Sequence, residues 1–570
     1  MTAGGRAAQA TNARARLLRA ASWGLLAGPL VVVVAYPLGQ LLVASALVDR
    51  RISGTVYTRV LAEPDYWRAF GHSLAVSTAA TVVAGLIGGA LAWVVARTDI
   101  PGWVALRRWL VIPYMIPPFV AAFAWHGLLG PAGYLNQAYL TLSHAGPVFT
   151  IYGAAGIVFV LAMTTYPLFL ILVARALDQM NAELEEAAEI SGASPGRVMR
   201  DITLRLVAPA FASAAMLAFS GDLSNFGVPA LLGDPVGFRV MTTAIYATVQ
   251  DVTVPNHLSV AAALSVWLAL AALAVALFQL WTHAQGRHVI IGGRGGRTRP
   301  VRLGRWSAPV TAGAWMLGLV TTGGPLASLA MLALTRAYGL PPAWGNLTWQ
   351  HFLELPSDPL VRTAVTNSAI LTVAAATTTA AIGFVISYLR VRSHSRFAAV
   401  LDYVSGIPYV IPGTVIAIAM ILAWIQPLPV LRVSIYNTLW ILWLAYCARY
   451  LAVPIRGLNS ALRQYDGALE EAAAGAGATP LRIVRDVAAP LVWGSLLSSW
   501  LLVAVPALNE LTVSILLYGP GHETVGVAAF LMIRDGRIAT AAAFGLLMIL
   551  VVVLGDAVAR RVSRGRAALW

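Results

Sequence analysis

Long apolar runs alternate with short polar breaks along the whole chain. A helix needs roughly 20 apolar residues to cross a hydrocarbon core about 30 Å thick. The runs are continuous and lack the apolar and polar alternation of a β-barrel strand. They predict twelve membrane-spanning helices, near residues 22–48, 71–96, 105–129, 151–176, 206–232, 257–284, 307–335, 363–390, 401–426, 436–458, 489–518 and 537–558.

One of the polar breaks occurs twice. Residues 185–201 read EEAAEISGASPGRVMRD, and residues 470–486 read EEAAAGAGATPLRIVRD. Between 177–207 and 462–492, 15 of 31 positions are identical without a gap, at an offset of 285 residues. A second pair, IPYMIP from residue 112 and IPYVIP from residue 407, is offset by 295. This similarity indicates a duplication, and since the copies of each landmark are six spans apart, the halves are predicted to have the same orientation.

The duplication divides the chain into an N-terminal half, 1–284, a Gly- and Arg-rich linker, 285–306, and a C-terminal half, 307–570. Each half is predicted to hold six spans and one copy of the repeated polar segment, at 181–205 and 466–490. The predicted fold class is therefore an all-α integral membrane protein built from two parallel six-helix repeats.

Each copy of the repeated segment begins with the signals of a short helix. Asn181 and Asp466 are good N-caps. Glutamates follow in the early turns, where carboxylates favour the positive end of a helix. Gly192 and Gly477 stand where a glycine just beyond the last turn would end that helix.

A second short helix is predicted after the glycine. Ser194-Pro195 and Thr479-Pro480 offer an N-cap followed by proline at the first helical position, and about eight helical residues are expected. We interpret each copy as a docking element for another protein. Two alternatives remain: a helical hairpin packed on its own bundle, and a DNA-binding helix-turn-helix, which attachment to spans at both ends disfavours.

The composition supports a membrane protein and limits its chemistry. Of 570 residues, 59% are hydrophobic and 11% charged, and the mean hydropathy is +0.75. The net charge of +15 lies in short loops, where anionic lipid head groups suffice as partners, so no nucleic-acid partner is expected. All 39 basic Lys and Arg positions are arginine, and a P-loop requires a lysine. ATP-driven work must therefore reside on another polypeptide, and the chain is not predicted to be an enzyme.

The N-terminal run and the single cysteine set two further expectations. The first apolar run follows several arginines and is too long for a cleaved signal, so it is predicted to be an uncleaved span with its N-terminus inside. Most arginines fall on that side, which places both termini in the cytoplasm. Cys447 is the only cysteine, which excludes an internal disulfide and a Cys-built metal site.

Polar groups within spans are candidates for a solute pathway, because ionisable groups there are costly and usually face an interior cavity. Asp222 and Glu510 are the clearest cases, and Asn225 is equivalent to Glu510. Tyr114 and Tyr409 lie between the paired prolines that should bend two equivalent spans. The alternative is that the bends only assist packing and that each tyrosine donates to a freed carbonyl.

The repeated segment resembles the cytoplasmic loop of inner-membrane permeases of binding-protein-dependent ABC importers, whose signature is EAA, three residues, G, nine residues and I-x-L-P. The first copy departs by Arg205 in place of proline, and the second by Ala489 in place of leucine. The matching residues are Glu186, Ala187, Ala188, Gly192, Ile202 and Leu204 in the first copy, and Glu471, Ala472, Ala473, Gly477, Val487 and Pro490 in the second.

The resemblance implies a fused two-half permease of the type I importer fold in a bacterial cytoplasmic membrane. It implies alternating access driven by two copies of a partner ATPase, which bind ATP and magnesium, and solute delivery by one external binding protein. No cofactor or metal is expected on this chain. The residues implied to couple to the ATPase are Glu186, Ala187, Gly192, Ala193 and Ser194, with Glu471, Ala472, Gly477, Ala478 and Thr479.

Among such importers, fused permeases of twelve spans are typical of the ferric-iron type. In this chain, GLLGPAGYLN from residue 127 and NFGVPALLG from residue 225 look like segments of that group. Thiamine, phosphonate, polyamine and sulfate remain alternative solutes. An ion-coupled secondary transporter is an alternative of another class, although it leaves the repeated polar segment without a role. A membrane-embedded enzyme is disfavoured because no catalytic cluster recurs at usable spacing.

Overall fold

The computed structural model describes residues 27–48, 51–143, 147–285, 300–340, 343–392, 396–427 and 432–562. Nine continuous helices in these ranges are long and apolar enough to span a membrane, and each overlaps a predicted span. They are Ala27–Ala46, Pro64–Arg97, Ala154–Asp178, Pro195–Leu223, His257–Trp281, Gly304–Leu334, Pro359–Arg392, Pro480–Leu508 and Ile538–Val558.

Three bent helix pairs raise the number of spans in the described ranges to as many as twelve. Trp103–Met115 meets Pro118–Ser143 at 101°, and Arg396–Val410 meets Gly413–Trp424 at 110°. Both breaks fall within the paired-proline motifs, where proline removes a backbone donor, so the predicted bends are confirmed. The third pair, Leu439–Tyr450 and Ala452–Arg463, is bent by 42°.

Two predicted spans, 206–232 and 489–518, end earlier than expected. Their helices stop at Leu223 and Leu508, and short helices follow at Gly227–Leu232 and Ser514–Leu517. Just after each stop, the side chains of Asn225 and Glu510 accept from backbone amides near the start of the new helix. The remaining short elements are helices Thr55–Ala62, Ala182–Ile190, Met241–Gln250, Gln350–Glu354, Ala468–Gly475 and Val525–Arg534, and an antiparallel pair of two-residue strands, Leu47–Val48 and Arg51–Ile52.

The spans pack closely at equivalent glycines. A Cβ added to Gly88 would lie 2.3 Å from the carbonyl oxygen of Tyr166, and one added to Gly383 would lie 3.1 Å from Pro454. These glycines are 295 residues apart, the offset of the paired-proline motifs. Small residues let helix backbones approach each other in a membrane, where apolar attraction between helices is weak.

The chain forms two compact units. In each unit, the first span of one half of the duplication lies among spans of the other half. One unit combines the N-terminal residues to Ser53 with Val365–Thr524 and the chain from Gly555. In it, Leu30 and Val34 pack with Ile386 and Leu451, and Tyr36 donates to the carbonyl of Ala423 at 3.3 Å.

The other unit combines Gly54–Ala364 with Val525–Leu554. It contains the first span of the C-terminal half, whose Thr321 hydroxyl lies 3.1 Å from that of Tyr166. The halves 1–284 and 307–570 therefore repeat each other in sequence, but neither half is a compact unit by itself. Most of the predicted linker, 286–299, lies outside the described residues.

Candidate functional site

The first docking element comprises residues 181–203. The Asn181 side chain accepts from the amide of Glu183 at 3.1 Å and caps helix Ala182–Ile190, as predicted. Gly192 has a φ of +84°. Its amide donates to Glu189 and the amide of Ala193 donates to Ala188, at 2.9 and 3.0 Å. Because these two bonds form a Schellman motif, the last carbonyls of the helix are satisfied and the chain reverses at the glycine.

The second docking element, residues 466–488, repeats this conformation. Gly477 has a φ of +85°. The amides of Gly477 and Ala478 donate to Ala474 and Ala473, both at 3.0 Å. The N-terminus differs from the prediction: the helix starts one residue later than the cap Asp466 implied, at Ala468. Asp466 still accepts from the Ala468 amide at 3.2 Å, so it satisfies a free donor there.

The second helix of each element is not a separate short helix, which corrects the prediction. Pro195 and Pro480 begin helices that continue into the next span through π-helical turns at Met199–Thr203 and Val484–Ala488. No glycine or proline interrupts these stretches, so nothing ends the helix before the membrane. Ser194 and Thr479 precede the prolines in extended conformation, but their side chains do not cap.

The residues expected to couple to an ATPase lie on the surface of the two elements. Ala193 and Ala478 are half-buried, and the others are exposed: Glu186, Ala187, Gly192, Ser194, Glu471, Ala472, Gly477 and Thr479. A Cβ added to Gly192 or Gly477 would meet no atom within 4 Å. Both turns are therefore open to a partner, and their role in coupling stays a prediction.

A buried carboxylate joins the second element to helix Pro359–Arg392, an earlier span of the same half. Glu470, which is 9% exposed, accepts from Arg392 and Tyr388, each at 2.9 Å, and from Tyr465 at 3.1 Å. Burial raises the pKa of the Tyr465 phenol, and the charge of Glu470 raises it further. The phenol therefore stays protonated and donates.

The first element is fastened in the same way. Glu185, the equivalent of Glu470, forms an ion pair with Arg97 and accepts from the Thr203 hydroxyl. Arg97 is 5% exposed at the end of helix Pro64–Arg97. These contacts were not predicted, although Arg97 and Arg392 share the 295-residue offset of the duplication.

Asn225 and Glu510 perform the same structural task in the two halves. The Asn225 side chain accepts from the Val228 amide at 3.0 Å, and Glu510 accepts from the Val513 amide at 3.1 Å. Each side chain thus accepts from a backbone amide three residues on, near the start of the short helix after its span, although neither residue is the N-cap of that helix. This shared contact accounts for their equivalence without any solute, so a pathway role for either stays a prediction.

Glu510 also has a counter-ion that Asn225 does not require. Glu510 is 7% exposed and lies 3.2 Å from Arg449 Nε, and the Tyr450 hydroxyl donates to it at 2.5 Å. A Cβ added to Gly413 would come within 2.5 Å of the Arg449 guanidinium. Gly413, just after the bend in the second proline motif, thus leaves room for the half-buried guanidinium of Arg449.

Asp222 has no comparable partner. Its carboxyl is 7% exposed; Oδ1 accepts from Thr165 at 3.1 Å, and Oδ2 is buried without a hydrogen bond in the described part of the chain. Asp222 and Asn225 line a cavity of about 10 Å³ together with Ser73 and Ser77. That volume suits a single water molecule.

Tyr114 and Tyr409 are each 44% exposed, just before the bends. The Arg456 guanidinium lies 5.0 Å from the centre of the Tyr409 ring, which is a cation–π contact. In the described ranges, no three His, Cys, Asp or Glu side chains form a group that could hold a metal ion. The expected lack of a metal site remains a prediction.

A duplicated bundle of nine or more long apolar helices in the described residues is the architecture of a multi-pass membrane protein. The chain belongs to the family described as binding-protein-dependent transport system inner membrane component, whose model matches residues 84–285 and 379–567, well over half of its length. Each matched region contains one docking element.

Similar proteins align either with the whole chain or with part of it. A ferric transport system permease protein of Actinobacillus pleuropneumoniae is 24% identical over 507 residues, covering 87% of this chain and 71% of the relative. A Fe(3+)-transport system permease protein of Haemophilus influenzae is 22% identical over 522 residues, covering 91% and 95%. A putrescine transport system permease protein of Escherichia coli K12 is 28% identical over 242 residues, covering 40% and 83%. Coverage of 40% of this chain and 83% of the relative is expected for a relative that is about as long as one half of this chain.

Proposed function

We propose that this chain is the fused permease of an ABC importer that moves ferric iron into the cytoplasm. The observation that carries the class is the docking element, which occurs twice with the same glycine turn. The solute is supported by the two ferric permeases, which align over 87% and 91% of this chain. Putrescine is one alternative solute, since a putrescine permease aligns with part of the chain.

Two copies of a partner ATPase supply the work in this proposal, one at each docking element. They bind ATP and magnesium, since this chain contains no lysine for a P-loop. Closure of the ATPases moves the docking elements, and the ion pairs of Glu185 and Glu470 transmit that motion to helices Pro64–Arg97 and Pro359–Arg392. Nucleotide binds more tightly when the bundle is in one of its two states, and its binding therefore favours that state.

Solute arrives on an external binding protein, and the docking elements and both termini face the cytoplasm. Oxygen ligands suit a hard ferric ion. We place Tyr114, Asp222, Asn225, Tyr409 and Glu510 along its route. Asp222 is the strongest candidate among them, because one of its carboxylate oxygens has no hydrogen-bond partner among the described residues.

Reconstitution with the partner proteins tests this function. The permease, its ATPase and its binding protein are placed in liposomes with ATP inside, and uptake of radiolabelled ferric iron and putrescine is compared. ATP-dependent iron uptake supports the proposal. Uptake of putrescine alone corrects the solute and leaves the class intact, whereas uptake that needs an ion gradient and no ATPase overturns the class.

A further inference from the structure

We propose that the two docking elements bind the ATPase through different apolar residues, Ile190 on the first element and Leu481 on the second. The two ATPase positions on this chain are then not equivalent, even when identical subunits occupy them. This inference rests on the proposed function, since the ATPase is its partner.

The backbones of the two elements are equivalent where these residues lie. Gly192 and Gly477 have φ values of +84° and +85°, and the same pair of hydrogen bonds closes each turn. Val198 and Ile483, at equivalent positions on the second helix, are both buried. A difference between the elements therefore comes from side chains and not from a different course of the chain.

Both copies keep one exposed leucine, Leu184 and Leu469, but the two most exposed apolar side chains are exchanged with glycine between the copies. Ile190 is 88% exposed, and its equivalent at an offset of 285 is Gly475. Leu481 is 78% exposed, and its equivalent is Gly196. Ile190 precedes the turn glycine by two residues, and Leu481 follows its turn glycine by four. Each element thus has one large apolar group here, on opposite sides of its turn.

These side chains do not lie at the level of the lipid tails. Ile190 follows Glu186 and Glu189 in a segment between two spans. Leu481 is followed by Arg482, Arg485 and Asp486, which are too costly for the hydrocarbon core. Both side chains therefore face water, and an exposed apolar group on a polar segment indicates an interaction surface.

A subunit of the partner ATPase is the occupant that these observations favour. Each side chain adjoins an open glycine turn in a segment that the duplication retained at 15 of 31 positions. The charges differ as well, because Glu183 and Glu189 of the first element correspond to Ala468 and Ala474 of the second. The first element therefore suits a more basic surface of the ATPase than the second does.

The chain provides its own matched variants for a test. Gly475 and Gly196 have no atom within 4 Å of an added Cβ, and neither has a positive φ. Gly475→Ile and Gly196→Leu therefore fit without strain and give each element the apolar residue of the other. Leu353→Ala, at a side chain that is 76% exposed in another segment, controls for the loss of any exposed apolar group.

Binding of purified ATPase to the purified permease is measured by titration, with gel filtration to confirm folding of each variant. Ile190→Ala and Leu481→Ala are each expected to weaken one of two binding events about tenfold and to spare the other, as loss of a buried apolar contact does. In the double variant Ile190→Ala/Gly475→Ile, the isoleucine lies on the second element instead of the first. The affinity of the weakened binding event should then change again, but the two affinities of the wild type should not be restored. Leu353→Ala should change neither event.

Unchanged binding in both single variants overturns this inference, and so does equal weakening of both events by either one. Those outcomes leave the proposed function standing, because the wild type still binds the ATPase. Wild-type permease that binds no ATPase at all defeats the proposed function itself, and with it this inference.

Discussion

Arg392 donates from Nε to the carboxylate of Glu470 across 2.9 Å, and this contact joins the end of a span to the helix that precedes Gly477. Arg97 and Glu185 make the same connection in the other half. The repeated polar segment is therefore fastened to its bundle, so a force applied at the turn reaches the span directly.

Glu470→Ala should destabilise the permease by about 3 kcal/mol, because it leaves Arg392 partly buried without its carboxylate and two tyrosines without an acceptor. Thermal unfolding of the purified protein measures the loss. Glu471→Ala, at the exposed neighbour, should leave the unfolding temperature unchanged. Equal unfolding temperatures for the two variants would show that the ion pair does not hold the element.

Gly477→Val should reduce ATPase binding and uptake, since a side chain at a φ of +85° costs roughly 1–2 kcal/mol and β-branching adds to the strain. Gly477→Asn should retain most of both activities, because asparagine tolerates this conformation. The same comparison applies to Gly192. If the valine and asparagine variants show the same ATPase binding and the same uptake, the left-handed conformation of the turn has no role in either.

Asn225→Ala should cost about 1 kcal/mol, the value of a lost hydrogen bond to a backbone amide. Glu510→Ala should cost more, about 2–3 kcal/mol, because it also leaves the half-buried Arg449 without its carboxylate. Denaturation of the two variants under one condition gives the comparison. A larger loss for Asn225→Ala than for Glu510→Ala would contradict the roles of the two side chains.

Asp222→Asn should stabilise the bundle by about 1–2 kcal/mol, because a buried carboxylate oxygen without a partner is replaced by a neutral amide. Iron uptake by the reconstituted importer should fall about tenfold if the carboxylate contacts the solute. ATPase binding should not change. Full uptake by Asp222→Asn would take Asp222 out of the pathway.

The sequence predicts what depends on local pattern. Apolar runs located the spans, the paired prolines located both sharp bends, and Gly192 and Gly477 located the turns. Each of these features acts within a few residues of the chain, through proline geometry or a positive φ.

Contacts between distant residues escaped prediction. Arg97 and Glu185 are 88 residues apart, and no local pattern pairs them. Polar groups in apolar runs predict Asn225 and Glu510 as pathway residues, and local pattern does not reveal the backbone amides from which their side chains accept near the start of two short helices. Alignment of the two halves at an offset of 295 residues could have identified Arg97 and Arg392 as equivalent, since each precedes the repeated polar segment of its own half.

The most direct test of the account is transport by the reconstituted importer with a single docking element disabled. Gly192→Val or Gly477→Val is introduced, and ATP hydrolysis and uptake of ferric iron are measured in the same liposomes. Uptake should fall much further than hydrolysis in each variant, because the ATPase that still binds the altered turn hydrolyses ATP without moving the spans. Uptake that stays at the wild-type level when both glycines are replaced would contradict it.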